Sequence, residues 1–323
     1  MTTLGEPYES RPYVLDRESA PAFWLVATLW LIHATCYQTG NRFSLMEQWM
    51  PTGLGPPTHR HQFANEGFYV LEGTVAYNAQ GTTVHAGAGT FVHLPRLLPH
   101  SFSVDTSQAH VLNFYAPGGF ELVILAVAHP AGERRVPSME ESLPPNPAEV
   151  RILSRLFGQE EVEALPFAQP TEPAMMRTEA GTWSIGSLVI RSAGDVAPIE
   201  VFGMSWRVLG GSGETDGTYD LCEVAVPAGA GMPLRRLGQD EAVYVLAGAL
   251  DVVLDGQDQR AQEGAFVYLP AASTGSWTAP APSRVLVFHL PAGFDQALTR
   301  QPDDQQHVWA FLEATGTRFL PAS

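Results

Sequence analysis

The chain has 323 residues, about twice the usual length of one domain, and 45% of them are hydrophobic, so we expect two domains with separate cores. The formal net charge of −16 argues against binding to nucleic acid or to an anionic membrane surface, because both would repel it. The 30 glycines and 26 prolines divide the chain into short segments, which is typical of all-β folds.

The N-terminal part of the chain shows no sign of export. Its first residues lack the basic region of a secretory signal, and the apolar run Phe23–Ala34 is too short to span a bilayer. We interpret this run as a buried strand. Cys36 and Cys222 lie in different halves without the spacing of a disulfide framework, so both are expected to be reduced. Together these features predict a soluble, cytoplasmic protein.

The first candidate site begins at His59 and His61, in the part of the chain that holds eight of the ten histidines. Side chains two residues apart on a strand share a face, so both imidazoles can reach one ion. A short turn then brings Glu66 beside them on the next strand. His100 starts another strand-like segment, and we expect it to join them when the sheet closes.

These four side chains predict a site for one divalent transition metal ion per chain. Imidazole and carboxylate ligands suit Fe, Ni, Co, Mn or Cu, and Zn is the less useful choice for activating oxygen or a chelating substrate. Phe68, Val70 and Phe102 share strand parity with Glu66 and His100. They are therefore candidates for a substrate pocket, although apolar residues inside a barrel also serve as core.

The segment that follows the candidate site, residues 133–170, is rich in proline and charge. Within it, Asn146 and Pro147 open a capped amphipathic helix. We place the boundary between the domains near residue 165, which gives domains of residues 1–165 and 166–323. Close to the end of the chain, residues 303–314 carry apolar side chains at helical spacing and predict a closing helix.

The second half of the chain repeats the first. The segment Phe43–Gly73 recurs about 176 residues later as Tyr219–Gly248, which indicates a duplicated domain. In both copies, short apolar runs alternate with Gly and Pro turns, the pattern of a small double-sheet barrel.

The second copy does not retain the candidate ligands. Arg235 and Leu237 stand at the two histidine positions, and Gly275 stands near the fourth. We therefore expect the second barrel to be metal-free, with Glu241 paired to Arg235 or Arg236.

Two motifs carry a family resemblance. The spacing of Gly53, His59, His61, Glu66 and Gly73, with five, one, four and six residues between them, matches the first cupin motif at every fixed position.

The second motif is matched by Gly89, Pro95 and His100, but Leu97 replaces its usual glycine and Val104 its frequent asparagine. The chain thus resembles a bicupin of the quercetin 2,3-dioxygenase-like group. This resemblance implies two tandem cupin (jelly-roll) β-barrels, with short helices at the linker and the C-terminus.

The same resemblance implies a metal-dependent dioxygenase that acts on a flavonol-like or other enolic aromatic substrate. In this reading Glu66 accepts the hydroxyl proton of the substrate, and dioxygen is the second reactant. Two alternatives remain open: a non-catalytic metal-dependent binding or sensor protein, and a metal-dependent isomerase, because the barrel itself does not set the function. The chain is expected to be a monomer or a homodimer.

Overall fold

In the computed structural model of the chain, the described residues are 10–162, 182–185, 188–300 and 305–321, with residues 182–185 described by their backbone alone. The expected domain boundary near residue 165 lies outside the described residues. So do residues 303 and 304, at the start of the predicted closing helix.

Strands dominate the structure, as predicted. The first half contains β1 (Tyr13–Leu15), β2 (Ala22–Leu25), β3 (Thr28–Ala34), β4 (Ser44–Pro51), β5 (His59–His61), β6 (Asn65–Glu72), β7 (Thr74–Ala79), β8 (Thr82–Gly87), β9 (Thr90–Leu94), β10 (His100–Val104), β11 (Gln108–Ala116), β12 (His129–Pro130) and β13 (Gln159–Glu161). The second half contains β14 (Thr182–Ile185), β15 (Leu188–Ser192), β16 (Ile199–Val201), β17 (Met204–Gly210), β18 (Asp220–Val226), β19 (Gly231–Arg236), β20 (Asp240–Ala247), β21 (Ala249–Leu254), β22 (Gln257–Gln262), β23 (Phe266–Leu269), β24 (Thr274–Thr278), β25 (Ser283–Leu290) and β26 (Arg318–Phe319).

The described helices are short: α1 (Glu121–Val127), α2 (Pro147–Leu156), α3 (Phe294–Arg300) and α4 (Gln305–Ala314). The Asn146 side chain accepts a hydrogen bond from the backbone N–H of Ala148, which confirms the predicted cap of α2. The closing helix is confirmed from residue 305 onward, with Val308 and Leu312 buried. Among the described residues, no helix is both long and apolar enough to cross a membrane.

The strands form two barrels, each built from two antiparallel sheets. The first barrel pairs the sheet β12-β2-β3-β4-β11-β6-β9-β15-β14 with the sheet β13-β5-β10-β7-β8. The second pairs β1-β23-β20-β25-β18-β17-β16 with β22-β21-β24-β19-β26. Apolar side chains fill each barrel between its sheets, as expected for a double-sheet architecture. The predicted all-β fold of two tandem barrels is confirmed.

The two barrels exchange strands. β1, from the start of the chain, pairs with β23 of the second barrel, and β15, from the second half, pairs with β9 of the first. Between the barrels lies a separate cluster of buried aromatic and aliphatic side chains, in which the rings of Phe114 and Phe288 are 5.1 Å apart. Each barrel is therefore completed by a strand from the other half of the chain.

One prediction for the N-terminal region was wrong. The apolar run Phe23–Ala34 is not a single strand, because β2 and β3 fold back on each other as a hairpin. The turn between them has positive φ angles at Val26 (48°) and Ala27 (54°), which apolar L-residues seldom adopt. The run has no Gly, Asn or Asp to signal a turn. Cys36 and Cys222 are both buried and free, as predicted.

Candidate metal centre

Strand geometry brings the four predicted ligands together at one end of the first barrel. His59 and His61 share a face of β5, and His100, the first residue of β10, lies directly opposite His59 in the antiparallel register. Glu66 is the second residue of β6. The approach of the preceding loop to β10 requires glycine at position 55, where a Cβ atom would lie 1.7 Å from a backbone oxygen.

The ligand atoms of these side chains converge on a single point. The Nε2 atoms of His100, His61 and His59 lie 2.9, 3.3 and 4.0 Å from Oε2 of Glu66. One donor atom from each of the four residues falls within 4.8 Å of the other three, and all four residues are buried. A cluster of this composition and size can hold a metal ion.

The hydrogen bonds of the histidine rings fit such an ion. Nδ1 of His59 lies 2.9 Å from the carbonyl oxygen of Pro57, and Nδ1 of His100 lies 2.8 Å from that of Leu98. A carbonyl oxygen only accepts, so Nδ1 carries the proton and the Nε2 lone pair faces the cluster. Nε2 of His61 is buried with no hydrogen-bond partner among the described residues. The Nε2 atoms of the three histidines are therefore available to bind a cation.

The protonation states also suit a cation. Burial opposes ionisation of Glu66, but the electrostatic interactions of His61 and His100 with its carboxylate outweigh burial, so the pKa of Glu66 is well below its usual value. Burial, followed by the charge of His100, lowers the pKa of His59 to about 3. A carboxylate and a neutral imidazole are the forms that bind metal.

The corresponding position of the second barrel is filled by a salt bridge. Arg235 lies opposite Gly275 in the register, as His59 lies opposite His100 in the first barrel. The buried Arg235 donates to both carboxylate oxygens of Glu241 at 2.6 Å, which confirms the predicted pairing and assigns it to Arg235. The indole N–H of Trp277 also donates to Glu241, at 2.8 Å. A guanidinium here would repel a bound cation.

Comparison with known proteins agrees with this duplicated architecture. The family model described as Cupin domain matches residues 45–115, and the one described as Ethanolamine utilisation protein EutQ matches residues 234–296. The chain shares its fold with an oxalate decarboxylase variant from Bacillus subtilis, at a TM-score of 0.57 and 14% identity over 94% of this chain and 85% of that one. The first barrel contains a cupin domain, and the chain as a whole has the bicupin fold.

The bicupin is similar in sequence to two curated enzymes. It is 28% identical over 110 residues to quercetin 2,3-dioxygenase of Bacillus subtilis (strain 168), a match that covers 34% of this chain and 33% of the relative. It is 27% identical over 203 residues to quercetin 2,3-dioxygenase of Aspergillus japonicus, which covers 58% of each chain. The chain thus spans one third of the length of the Bacillus subtilis enzyme and just under three fifths of the length of the Aspergillus japonicus enzyme.

The second oxygen of Glu66 in this bicupin is held by residues that sequence reasoning missed. Oε1 accepts a hydrogen bond of 2.6 Å from the Tyr115 hydroxyl and one of 3.0 Å from the Asn113 amide. Gln48 on β4 donates to Oδ1 of Asn113 at 3.0 Å and so orients its amide. Alternation along β11 was the available signal. Asn113 and Tyr115 share one face of the strand, and the apolar Leu112 and Phe114 share the other.

The three predicted pocket residues lie in the interior of the first barrel. Phe68 and Val70 are fully buried, whereas Phe102 is partly exposed, and the rings of Phe68 and Phe102 are 5.1 Å apart. Tyr77 contacts both rings, although the sequence pattern did not single it out. The assignment of Phe68, Val70 and Phe102 to a substrate pocket stays a prediction.

Proposed function

We propose that this bicupin is a metal-dependent dioxygenase that acts on a flavonol-like or other enolic aromatic substrate. Its ligands would be His59, His61, Glu66 and His100, and its ion a divalent Fe, Ni, Co, Mn or Cu. The observation that carries the proposal is the convergence of three Nε2 atoms on one oxygen of a buried carboxylate. The similarity to two quercetin 2,3-dioxygenases supports the choice of substrate class.

In the proposed reaction, Glu66 is the base. When bound, a divalent transition metal supplies a Lewis acid that lowers the pKa of a substrate hydroxyl. Oε2 of Glu66 faces the same point and is anionic, so it is placed to accept the hydroxyl proton. Tyr115 and Asn113 keep Oε1 occupied and thereby hold the carboxylate in one orientation. The burial of the cluster excludes water from the electron-rich anion.

Replacing Glu66→Gln tests this role, because it keeps the size of the side chain and removes the base. We expect the variant to consume oxygen at least about 100-fold more slowly than the wild type with flavonols, the range of a lost general base. An oxygen electrode gives the rate, and elemental analysis gives the metal content. Glu72→Gln, an exposed position on the same strand, is the matched control and should behave as the wild type.

Two outcomes would contradict the proposal in different ways. Normal turnover by the Glu66→Gln variant would show that another group accepts the proton. Binding of flavonols by the metal-loaded wild type without oxygen uptake would favour a binding or sensor protein, and turnover of a sugar or keto acid without oxygen would favour an isomerase.

A further inference from the structure

Tyr77 of β7 has a feature that the metal centre does not explain. It is fully buried, and its hydroxyl has no hydrogen-bond partner among the described residues. Transferring a hydroxyl from water to a protein interior without replacing its hydrogen bonds costs free energy, so buried tyrosine hydroxyls are normally paired. An exception in a folded protein calls for a specific explanation.

The position of Tyr77 links it to the metal centre. It lies opposite Phe102 in the pairing of β7 with β10, and its ring centroid is 5.2 Å from that of Phe68 and 5.8 Å from that of Phe102. Phe68 is two residues from Glu66 on β6, and Phe102 is two residues from His100 on β10. Because alternate residues of a strand share a face, the three rings adjoin the cluster inside the barrel.

The Tyr77 hydroxyl stays protonated in this environment. Burial raises its pKa well above the usual value, and the charge of Glu66 raises it further. The group therefore offers an O–H donor within the electrostatic range of the metal centre.

The second barrel shows what the same position looks like without a ligand site. Val252 and Trp277 form the strand pair that corresponds to Tyr77 and Phe102. There the apolar valine needs no partner, and the tryptophan N–H donates to Glu241. An unpaired hydroxyl thus occurs at this position in the barrel that carries the four-ligand cluster, and not in the barrel filled by a salt bridge.

We propose that the Tyr77 hydroxyl binds the substrate by donating a hydrogen bond to an oxygen atom remote from the oxygens held at the metal. Phe68 and Phe102 would pack against the aromatic rings of the same molecule. The proposal rests on the proposed dioxygenase function and narrows its substrate class to aromatic compounds that carry additional hydroxyl or carbonyl groups.

The variant Tyr77→Phe removes only the hydroxyl, and it should weaken the binding of one of two probe ligands and not of the other. Quercetin carries hydroxyl groups on its outer rings, whereas 3-hydroxyflavone has only the hydroxyl and carbonyl pair that chelates a metal. We expect the Zn²⁺-loaded variant to bind quercetin about tenfold more weakly than the wild type and 3-hydroxyflavone equally well, as for one lost hydrogen bond. Calorimetric titration without oxygen measures binding in the absence of turnover.

The melting temperature of the metal-free protein tests the unpaired hydroxyl without any ligand. Tyr77→Phe should leave it unchanged or raise it, because no hydrogen bond within the protein is lost. The matched control is Tyr69→Phe, since the buried Tyr69 hydroxyl donates to Glu223 at 2.5 Å. That variant should melt at a lower temperature and bind both flavonols as the wild type does.

A fall in melting temperature as large as that of Tyr69→Phe would overturn the proposal, because it would reveal a structural partner such as a buried water. Equal effects on both probes, or no effect on quercetin, would also overturn it, as would a wild type that binds neither flavonol. Failure of the dioxygenase function looks different: quercetin binding would depend on Tyr77, but protein loaded with Fe, Ni, Co, Mn or Cu would consume no oxygen.

Discussion

At the scale of single residues, the two barrels each bury a glutamate at the corresponding position and stabilise its carboxylate in different ways. Glu66 faces three imidazoles whose lone pairs a cation can use, whereas Glu241 is neutralised by the guanidinium of Arg235. Desolvating a carboxylate is costly unless a charge or several donors compensate it. The arginine supplies this compensation within the protein.

The ion pair of the second barrel yields a prediction about stability. Arg235→Met should destabilise the protein by about 3–5 kcal/mol, because it removes the guanidinium that pairs with the buried Glu241 and leaves the His289 ring, at 3.7 Å, as the nearest basic group. The double variant Arg235→Met/Glu241→Gln removes that charge and retains an acceptor for Trp277, so it should recover most of the loss. Urea denaturation measures both variants.

The exposed neighbour provides the control for this experiment. Arg236 donates to a backbone carbonyl at the surface, so Arg236→Met should change stability by less than about 0.5 kcal/mol. If Arg235→Met were as stable as the wild type, the ion pair would not compensate Glu241 as described.

At the scale of elements, the β2–β3 hairpin shows tertiary packing overriding local preference. Leu29 and Leu31 of β3 are buried, and β3 continues into the sheet by pairing with β4. The strained turn at Val26 and Ala27 is tolerated because the strands on both sides of it gain these contacts. The apolar pattern alone predicts a buried strand but not where it folds back.

The strain of this turn can be relieved by substitution. Both central residues have positive φ angles, the geometry that Asn-Gly adopts readily in two-residue hairpins. The variant Val26→Asn/Ala27→Gly should therefore raise the free energy of unfolding by about 1–2 kcal/mol. A higher melting temperature by calorimetry would bear this out. A lower one would show that the apolar contacts of Val26 are worth more than the strain.

At the scale of the whole molecule, the barrels meet around buried carboxylates. Glu47 of the first barrel is fully buried, and Tyr244 of the second donates to it at 2.9 Å. The repeat places Glu223 and Tyr69 in the reciprocal arrangement. Arg17, which follows the exchanged strand β1, also contacts Glu47, at 3.0 Å. Exchanged strands and reciprocal hydrogen bonds thus join the barrels into one unit.

This interface predicts a pH dependence of stability. Burial opposes ionisation of Glu47, but the hydrogen bonds and charges of His110 and His33 outweigh it and hold the pKa of Glu47 below its ordinary value of 4.5. A depressed pKa contributes stability that is present above 4.5 and is lost as the pH falls below it. The stabilising contribution of the Glu47 carboxylate is therefore fully present above pH 4.5 and decreases in more acidic solution.

The variant Glu47→Gln tests this dependence. It should lose about 3–5 kcal/mol of stability at pH 7, and its difference from the wild type should shrink as the pH falls from 5 to 3. Urea denaturation across this pH range measures the difference, with Glu149→Gln on the exposed surface of α2 as control. A difference independent of pH would show that the charge of Glu47 plays no part.

The sequence by itself determined the duplicated all-β fold and the four residues of the candidate site. His59, His61 and Glu66 lie within eight positions, and their common face follows from strand alternation and one turn, both of which are local properties of the backbone. The same spacing carried over to the second half predicted that Glu241 pairs with Arg235 or Arg236, and the structure assigned the pair to Arg235. His100 was found through its place in a motif.

Only the tertiary structure decided which distant strands meet. Tyr115 and Asn113 reach Glu66 because β11 pairs with β6 in one register, and a shift of one residue would turn them toward the other barrel. The exchange of β1 and β15 between the barrels likewise depends on which sheet edges are free to pair. Such pairings are set by the packing of the complete sheets, and neither spacing nor composition along the chain encodes them in a form that can be read directly.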